Sequence, residues 1–429
     1  ISACLVGSEM CIRDRAYTVQ ANFEWTFVRI YAGDLYGTGE TVSAPGIMGF
    51  VPYVKKLLIG EDALKRSRIL EKLKDAFSYS GTTAYFIISA IDIALYDLVG
   101  KYLNVPIWRL IGGDRDEIRV YVDAHASKSM EIVDAAQTEV FPDWVKQYGE
   151  VRFETERVSA LTEPVVGRVS TQRWNEDYTP ENYARRAKEI VNEGFTAVKF
   201  DLDIPTPHSK SYNSRSGQLS LKDIDYLTSI IKAVRDAVGD DIDLMFDLHW
   251  KFDVNTAIKV CRALEPYRPR WIEDPTSAFS SLTLNIDEIS LITQKCGIPI
   301  ATGENLFTYY QFKDLLKAGV SIWTPDLTKA GGITEGIRIS DLASLFDIEI
   351  SPHNIASPIS TMAAAHTMSR ANTFGVLEWH AHDLPFWNDI IKPKKRIIDK
   401  GFIKLTDEPG LGIDLDIDAM KKIWPGFEI

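Results

Sequence analysis

The chain of 429 residues carries 60 acidic against 48 basic side chains, a formal charge of −12, with 45% hydrophobic and 25% charged residues. Those proportions are ordinary for a folded protein and exclude a wholly disordered or fibrous chain. The acidic balance, without a basic stripe, argues against nucleic acid as a partner. The dense basic run Lys392, Lys394, Lys395 and Arg396 reads as a solvated surface loop.

Residues 1–15 lack a basic start and a long apolar core, so they make a poor signal peptide. Their wording resembles translated sequencing-adaptor sequence, and the expectation is a non-native segment preceding a domain that starts near Ala16. Cys4 and Cys11 lie in this stretch. Cys261 and Cys296 have no metal-ligand spacing and are expected to be packing residues in a reduced, cytoplasmic setting.

Residues 16–45 read as a hairpin: a strand Phe23–Tyr31, a turn Ala32–Gly37 and a second strand Gly39–Val42. Gly33 and Gly37 are expected to serve the turn. Residues 52–112 have apolar positions every three to four residues and stop at Gly112-Gly113, so they are expected to be helical. Their longest apolar stretch, Ala84–Leu98, is interrupted by Asp92 and Asp97, which argues against a membrane span. The expected division is an α+β capping domain over 16–116, a barrel domain over 117–388, and a segment 389–429 that returns to the cap.

From residue 117 short apolar runs with polar ends alternate with amphipathic helical stretches. The runs are Ile118–Ala124, Thr196–Leu202, Asp243–His249, Arg270–Pro275, Pro299–Asn305, Ser321–Leu327, Glu349–Asn354 and Gly375–His380. Eight strands alternating with helices imply an α/β fold closed as a (β/α)8-type barrel. Two loops exceed the usual length, 125–178 and 203–219, and are expected to act as lids.

Barrel active sites form at the C-terminal strand ends. Here those ends carry Lys199 and Asp201, Asp247 and His249, then Glu273, Glu304, Asp326, His353 and Glu378. The series from Asp247 to Glu378 recurs every 22 to 31 residues, about one strand–loop–helix–loop unit. Residues i and i+2 of a strand share a face, which predicts Lys199 paired with Asp201 and Asp247 beside His249. Asp247, Glu273 and Glu304 lie on successive strands, and three converging carboxylates need a cation between them. An all-oxygen donor set favours Mg²⁺. His353 follows Asp326 by one unit, so the carboxylate can orient the imidazole as a general base. His249 is a second proton-transfer candidate. Lys199 is either a Schiff-base nucleophile or, with Asp201 and the metal set nearby, a charge stabiliser. His125 and His380 reach toward the pocket as substrate-contact candidates, and His382 is weighed with them; His366 reads as structural, and His208 is given no role.

With these residues in place, the chain resembles the enolase superfamily in its mandelate racemase subgroup, from about Val28 to Leu415. The resemblance rests on Ala90-Ile-Asp-Ile-Ala-Leu-Tyr-Asp-Leu98, Leu110-Ile-Gly-Gly113, Trp271-Ile-Glu-Asp-Pro275, Gly303-Glu-Asn305, Pro325-Asp-Leu327, Gly331-Gly332 and Pro409-Gly-Leu-Gly412. It implies an enolase-like modified TIM barrel with a cap built from both chain ends, Mg²⁺ on Asp247, Glu273 and Glu304, and an Asp326–His353 dyad. It also implies that Glu378 hydrogen-bonds the substrate carboxylate, and a homo-oligomer. Base chemistry of this kind, with Mg²⁺ stabilising an ene-diolate, is the superfamily's general strategy.

One departure bears on the reaction. Where family racemases carry Lys-x-Lys, this chain reads Lys199-Phe200-Asp201, and its third strand reads Asp247-Leu248-His249. The second pattern, with Leu264-Glu-Pro-Tyr-Arg-Pro269 and the segment 297–336, is similar to galactonate and mannonate dehydratases. The implied activity is dehydration of a small sugar acid to a 2-keto-3-deoxy acid, with polyol contacts from Thr41–Val54 and the long loops. A racemase or epimerase with His353 and His249 as opposed bases, and a catalytically silent sugar-acid-binding barrel, are the alternatives.

Overall fold

The computed structural model describes residues 15–20, 24–42, 46–126, 129–131, 152–154, 178–204, 206–208, 217–276 and 284–429. Residues 1–14, most of the 125–178 loop and the centre of the 203–219 loop lie outside the described residues, and so do the lid expectations placed on them.

The chain opens with an antiparallel sheet of β1 (Arg15–Gln20), β2 (Glu24–Ala32) and β3 (Leu35–Val42). The β2–β3 turn is only Gly33-Asp34, with Gly33 at φ +62°. Gly37, expected in that turn, is instead inside β3. The reason is packing: a Cβ on Gly37 would come within 1.9 Å of the Ala94 carbonyl, and one on Gly39 within 1.9 Å of that of Ala90. These two glycines let the long helix of the cap lie directly on the sheet.

Helices α1 (Val51–Leu58), α2 (Arg66–Ala76), α3 (Thr83–Leu103) and α4 (Ile107–Leu110) follow. By length and composition alone α3 could cross a membrane, but 83% of its apolar window is buried within the protein. The two aspartates that interrupt it are docking points. Asp92 accepts bonds from Thr334 N (2.7 Å) and Oγ1 (2.7 Å). Asp97 accepts from Thr38 N and Leu411 N, each at 2.9 Å.

The barrel opens with β4 (Glu117–Ala124); β5 (Ser129–Glu131) and β6 (Arg152–Glu154) pair with each other outside it. The remaining barrel strands are β7 (Ala197–Asp201), β8 (Asp243–Asp247), β9 (Trp271–Glu273), β10 (Ile300–Thr302), β11 (Ile322–Trp323), β12 (Glu349–Ile350) and β13 (Leu377–Trp379). Each lies within one of the eight apolar runs. They pair in parallel in the order β13-β4-β7-β8-β9-β10-β11-β12. The seam between β12 and β13 is bridged by Gly375 N to Ile350 O (2.9 Å) and Glu378 N to Pro352 O (3.1 Å).

The intervening helices start where local chemistry dictates. They are α5 (Pro180–Asn192), α6 (Leu221–Val238), α7 (Val254–Leu264), α8 (Ile286–Lys295), α9 (Thr308–Ala318), α10 (Leu327–Ala330), α11 (Gly332–Ser344) and α12 (Pro358–Met368). Thr179 caps α5 with Pro180 in its first turn, Ser220 and Asp223 form a reciprocal capping box on α6, and Asp253 caps α7. Their inner faces bury Ile190, Leu227, Ile231, Val260 and Leu264 against the strands.

The C-terminal stretch adds β14 (Ile391–Lys392), β15 (Ile398–Asp399), β16 (Phe402–Lys404), β17 (Asp414–Leu415) and α13 (Ile417–Ile423). β16 pairs antiparallel with the start of β4. Beyond it the chain reaches the N-terminal sheet: Asp414 pairs with Arg29 at 3.0 Å, and the Phe427 ring packs edge-on against Tyr17 and Phe27.

Candidate active site

The C-terminal ends of the barrel strands bring ionisable groups into a buried cluster. Asp247 ends β8, Glu273 ends β9, and Glu304 lies just past β10. One carboxylate oxygen from each lies within 4.8 Å of the other two, and all three side chains are buried. Burial, reinforced by the neighbouring carboxylates against the pull of Lys199, pushes Glu273 up to about 7. Three buried carboxylates at this spacing resist simultaneous ionisation and accept a hard cation readily, so Asp247, Glu273 and Glu304 could hold a metal ion.

Lys199 lies almost fully buried at the centre. Its Nζ is 2.9 Å from Glu378 Oε1, 3.1 Å from Glu273 Oε2, 3.3 Å from Asp247 Oδ2 and 3.8 Å from Asp123 Oδ2. Burial works against its charge, but Glu273 and Glu378 outweigh it and hold the ammonium well above its ordinary range. A lysine so firmly protonated is a poor Schiff-base nucleophile and a good charge stabiliser. The expected Lys199–Asp201 pair is corrected here. Asp201 stands one pleat nearer the mouth, where its carboxylate approaches His125 Nδ1 (3.5 Å) and His249 Nδ1 (3.8 Å).

His353 follows β12 and places Nδ1 2.8 Å from Asp326 Oδ2. Burial would raise Asp326, but Lys329, His353 and Thr328 hold it low, so it is an ionised acceptor and the hydrogen belongs on Nδ1. Nε2 faces Glu304 Oε2 at 3.3 Å and Glu378 Oε2 at 4.0 Å, and these two carboxylates favour a proton on it as well. Burial lowers His353, yet Glu304 and Glu378 more than compensate and lift it to about 9. Glu378 is held low because Lys199 and His353 outweigh its burial. Its Oε2 accepts from Asn354 N at 2.9 Å.

His249 reaches the site by a different route from the one expected. β8 stops at Asp247, and His249 sits in a turn at φ +38°, not on a continued strand. Its Nδ1 lies 3.1 Å from Asp203 Oδ1 and 3.4 Å from Asp247 Oδ1. Asp201, Asp203 and His249 form a second group with ligand atoms within 4.8 Å of one another. His249 therefore touches the Asp247 end of the carboxylate trio, and His353 touches the Glu304 end.

His125 and His380 pack edge to face at 5.4 Å between centroids, beside Asp201. His382 turns away from this group. It joins an ion cluster with Arg186, Asp383 and Glu193, which explains its burial without the pocket. His366 is structural: Trp108 N donates to Nδ1 at 3.2 Å, leaving Nε2–H for Leu411 O at 3.2 Å.

Sequence reading did not single out four other groups. Asp123, at the end of β4, is part of the Lys199 cluster. Asp203 flanks His249, and only its place two residues after Asp201 hinted at that. Asp274 accepts from Thr302 Oγ1 at 2.5 Å, a link between adjacent strand ends. Lys329 approaches Asp326 Oδ2 (3.7 Å) and Glu304 Oε1 (3.9 Å); it lies one helical turn after Asp326, which is the signal that could have found it.

Two family models match the chain. Residues 13–112 match the N-terminal domain of mandelate racemase / muconate lactonizing enzyme, and residues 182–419 match the enolase C-terminal domain-like family. The chain belongs to the enolase superfamily, in its mandelate racemase group. A D-xylonate dehydratase from Haloferax volcanii is 33% identical over 410 residues, covering 94% of this chain and 86% of that protein. A crystal structure of a mandelate racemase/muconate lactonizing enzyme-like protein from Rubrobacter xylanophilus matches with a TM-score of 0.81 and 32% identity, covering 97% of this chain and 98% of the other. One of a mandelate racemase/muconate lactonizing enzyme from Jannaschia sp. CCS1 matches at 0.74 and 27%, covering 95% and 96%. The superfamily's arrangement of a barrel with an N-terminal cap is the one found here.

Proposed function

We propose that this chain is a hydro-lyase that dehydrates an aldonic acid to the 2-keto-3-deoxy acid. The observation that carries the reading is the carboxylate trio flanked by a histidine at each end, one of them oriented by Asp326. The Haloferax volcanii relative makes D-xylonate the first substrate to test.

The proton α to a carboxylate is a very weak acid, so a base alone cannot remove it at a useful rate. Asp247, Glu273 and Glu304 would hold Mg²⁺, which would supply positive charge where negative charge develops on the substrate carboxylate. Lys199 adds a fixed, buried cation to the same region. His353 Nε2 is the general base for the C2 proton, and Asp326 keeps the ring in the required tautomer and orientation. The negative field that lifts His353 to about 9 comes from Glu304 and Glu378. Offsetting the charge of Glu304 lowers His353 toward neutrality, where Nε2 can accept a proton.

His249 Nδ1 lies 3.8 Å from Asp201, 3.1 Å from Asp203 and 3.4 Å from Asp247, carboxylates that would favour the imidazolium. In this reading it donates a proton to the C3 hydroxyl as the C3–O bond breaks and water leaves. The enol product then tautomerises to the ketone.

The test is a panel of pentonic and hexonic acids, led by D-xylonate, incubated with the protein and Mg²⁺ and assayed with semicarbazide for 2-keto acids. Formation of a semicarbazone from an aldonate is the expected result. Deuterium exchange at C2 without any keto acid would replace the reading with an epimerase. Tight binding without turnover or exchange would replace it with a sugar-acid-binding protein.

A further inference from the structure

Two consecutive residues of the capping sheet, Glu40 and Thr41 on β3, reach across to the two barrel elements that carry the His353–Asp326 pair. Glu40 is fully buried. Its Oε1 accepts from Ser357 N at 2.9 Å, and its Oε2 accepts from Ser357 Oγ (2.5 Å) and Ser360 N (2.8 Å). These donors belong to the start of α12, the helix that follows His353. The carboxylate satisfies amides that the first helical turn leaves without partners.

Thr41 Oγ1 donates to the Thr328 carbonyl at 2.7 Å. Thr328 in turn donates to Asp326 Oδ1 through its amide (2.7 Å) and its hydroxyl (2.6 Å). One residue of β3 is thus tied to the segment that holds His353, and the next to the segment that holds Asp326. Three residues, Asn354 to Ala356, connect His353 to Ser357. This connection is fixed midway by Asn354 N to Glu378 Oε2 (2.9 Å) and by Trp387 Nε1 to the Ala356 carbonyl (3.2 Å). Glu40 supplies the hold at its far end.

We propose that Glu40 and Thr41 are positioning residues: a bracket from the cap that sets the distance between His353 and Asp326. The bracket couples the cap to the proton-transfer pair through the Glu40 carboxylate and the Thr41 hydroxyl, without either residue touching the reacting atoms. The idea builds on the dehydratase reading for its kinetic consequence, but its structural claim stands apart from it. A misplacement of about 1 Å at a reacting group costs on the order of 10²-fold in rate. Loss of either contact is therefore expected to act on kcat, not on substrate affinity.

The experiment compares the full chain with Thr41→Val, which keeps the shape and removes the hydroxyl, Thr41→Ser, which restores it, and Glu40→Gln. In the kinetic arm, Thr41→Val and Glu40→Gln should lower kcat about 10²-fold with KM changed about two-fold or less. Thr41→Ser should recover most of the loss. In the structural arm, hydrogen–deuterium exchange by mass spectrometry should accelerate in peptides covering 326–332 for Thr41→Val and 351–361 for Glu40→Gln. Peptides from α5 to α7 should stay at wild-type rates.

Unchanged exchange in both regions overturns the bracket, and so does acceleration spread evenly over the chain, which marks a merely structural role. Unchanged kcat in a variant of an active enzyme also overturns it. If the wild-type protein turns over no aldonate, the dehydratase reading fails, and the exchange arm still decides the bracket.

Discussion

The His353 ring joins two systems at once, with Nδ1 held 2.8 Å from Asp326 and Nε2 facing Glu304 at 3.3 Å. The proposed base and the carboxylate trio are therefore not separate devices. Replacing His353 by Asn should abolish both keto-acid formation and C2 deuterium exchange, with a fall of about 10²–10⁴-fold. Measured by semicarbazone formation and by NMR of recovered substrate in D₂O, retention of either activity at wild-type rate removes His353 from its assigned role.

His249 lies at the other end of the trio, so its loss should separate two steps that His353 loss removes together. His249→Asn should keep C2 exchange while keto-acid production falls about 10²-fold or more. A parallel loss of both would assign His249 to proton abstraction and favour the epimerase.

The three buried carboxylates repel one another without a cation. Chelation followed by dialysis should abolish turnover, and Mg²⁺ should restore it. The same ion should raise Tm, because a ligand at 100 times its Kd stabilises the native state by about 2.7 kcal/mol. Glu273→Gln should lose the Mg²⁺-dependent rise in Tm as well as the activity. A Tm indifferent to Mg²⁺ in the wild-type chain would argue against a metal at this position.

Far from the pocket, His366 gives the fold a pH dependence whose sign can be worked out. Burial lowers it from 6.5 to about 4, and its two bonds fix the neutral ring. The unfolded chain binds the proton more readily, so the stabilisation is complete above about 6.5 and is lost as pH falls toward 4. The shift corresponds to something on the order of 3 kcal/mol. Thermal melts of wild type and His366→Gln should therefore converge as pH drops from 6.5 to 4, with the wild type more stable at neutral pH. A constant gap across that window would contradict the assignment.

Much of this site was legible in the chain itself because a barrel converts sequence period into spatial position. A polar residue at the end of each apolar run must face the same opening, so Asp247, Glu273, Glu304, Asp326, His353 and Glu378 could be grouped before any coordinates. The rule fails where the strand stops. His249 looked like a strand residue two positions after Asp247, but it sits in a turn at positive φ, and the i+2 argument gives the right neighbourhood by the wrong path. Lys199 and Asp201 do share a face, yet one pleat of height sends them to different partners. Lys329 and Asp203 lie beyond the strand ends, so the barrel period does not reach them, and only their spacing from Asp326 and Asp201 hinted at their place. Gly37 shows the same limit in the cap: composition suggested a turn, whereas contact with α3 explains the residue.

A single carboxylate gathers distant parts of the chain. Asp97 accepts hydrogen bonds from Thr38 and Leu411, and Asp414 beside it pairs with Arg29. The cap is therefore completed by residues 314 to 385 positions further along the chain. Until residues near 411 have left the ribosome, a buried aspartate in its central helix lacks one of its donors, and the sheet lacks the counter-charge for Arg29. Proteins of this size commonly mature from the N-terminal end. Here a nascent chain stalled before residue 411 would still lack these contacts in its cap.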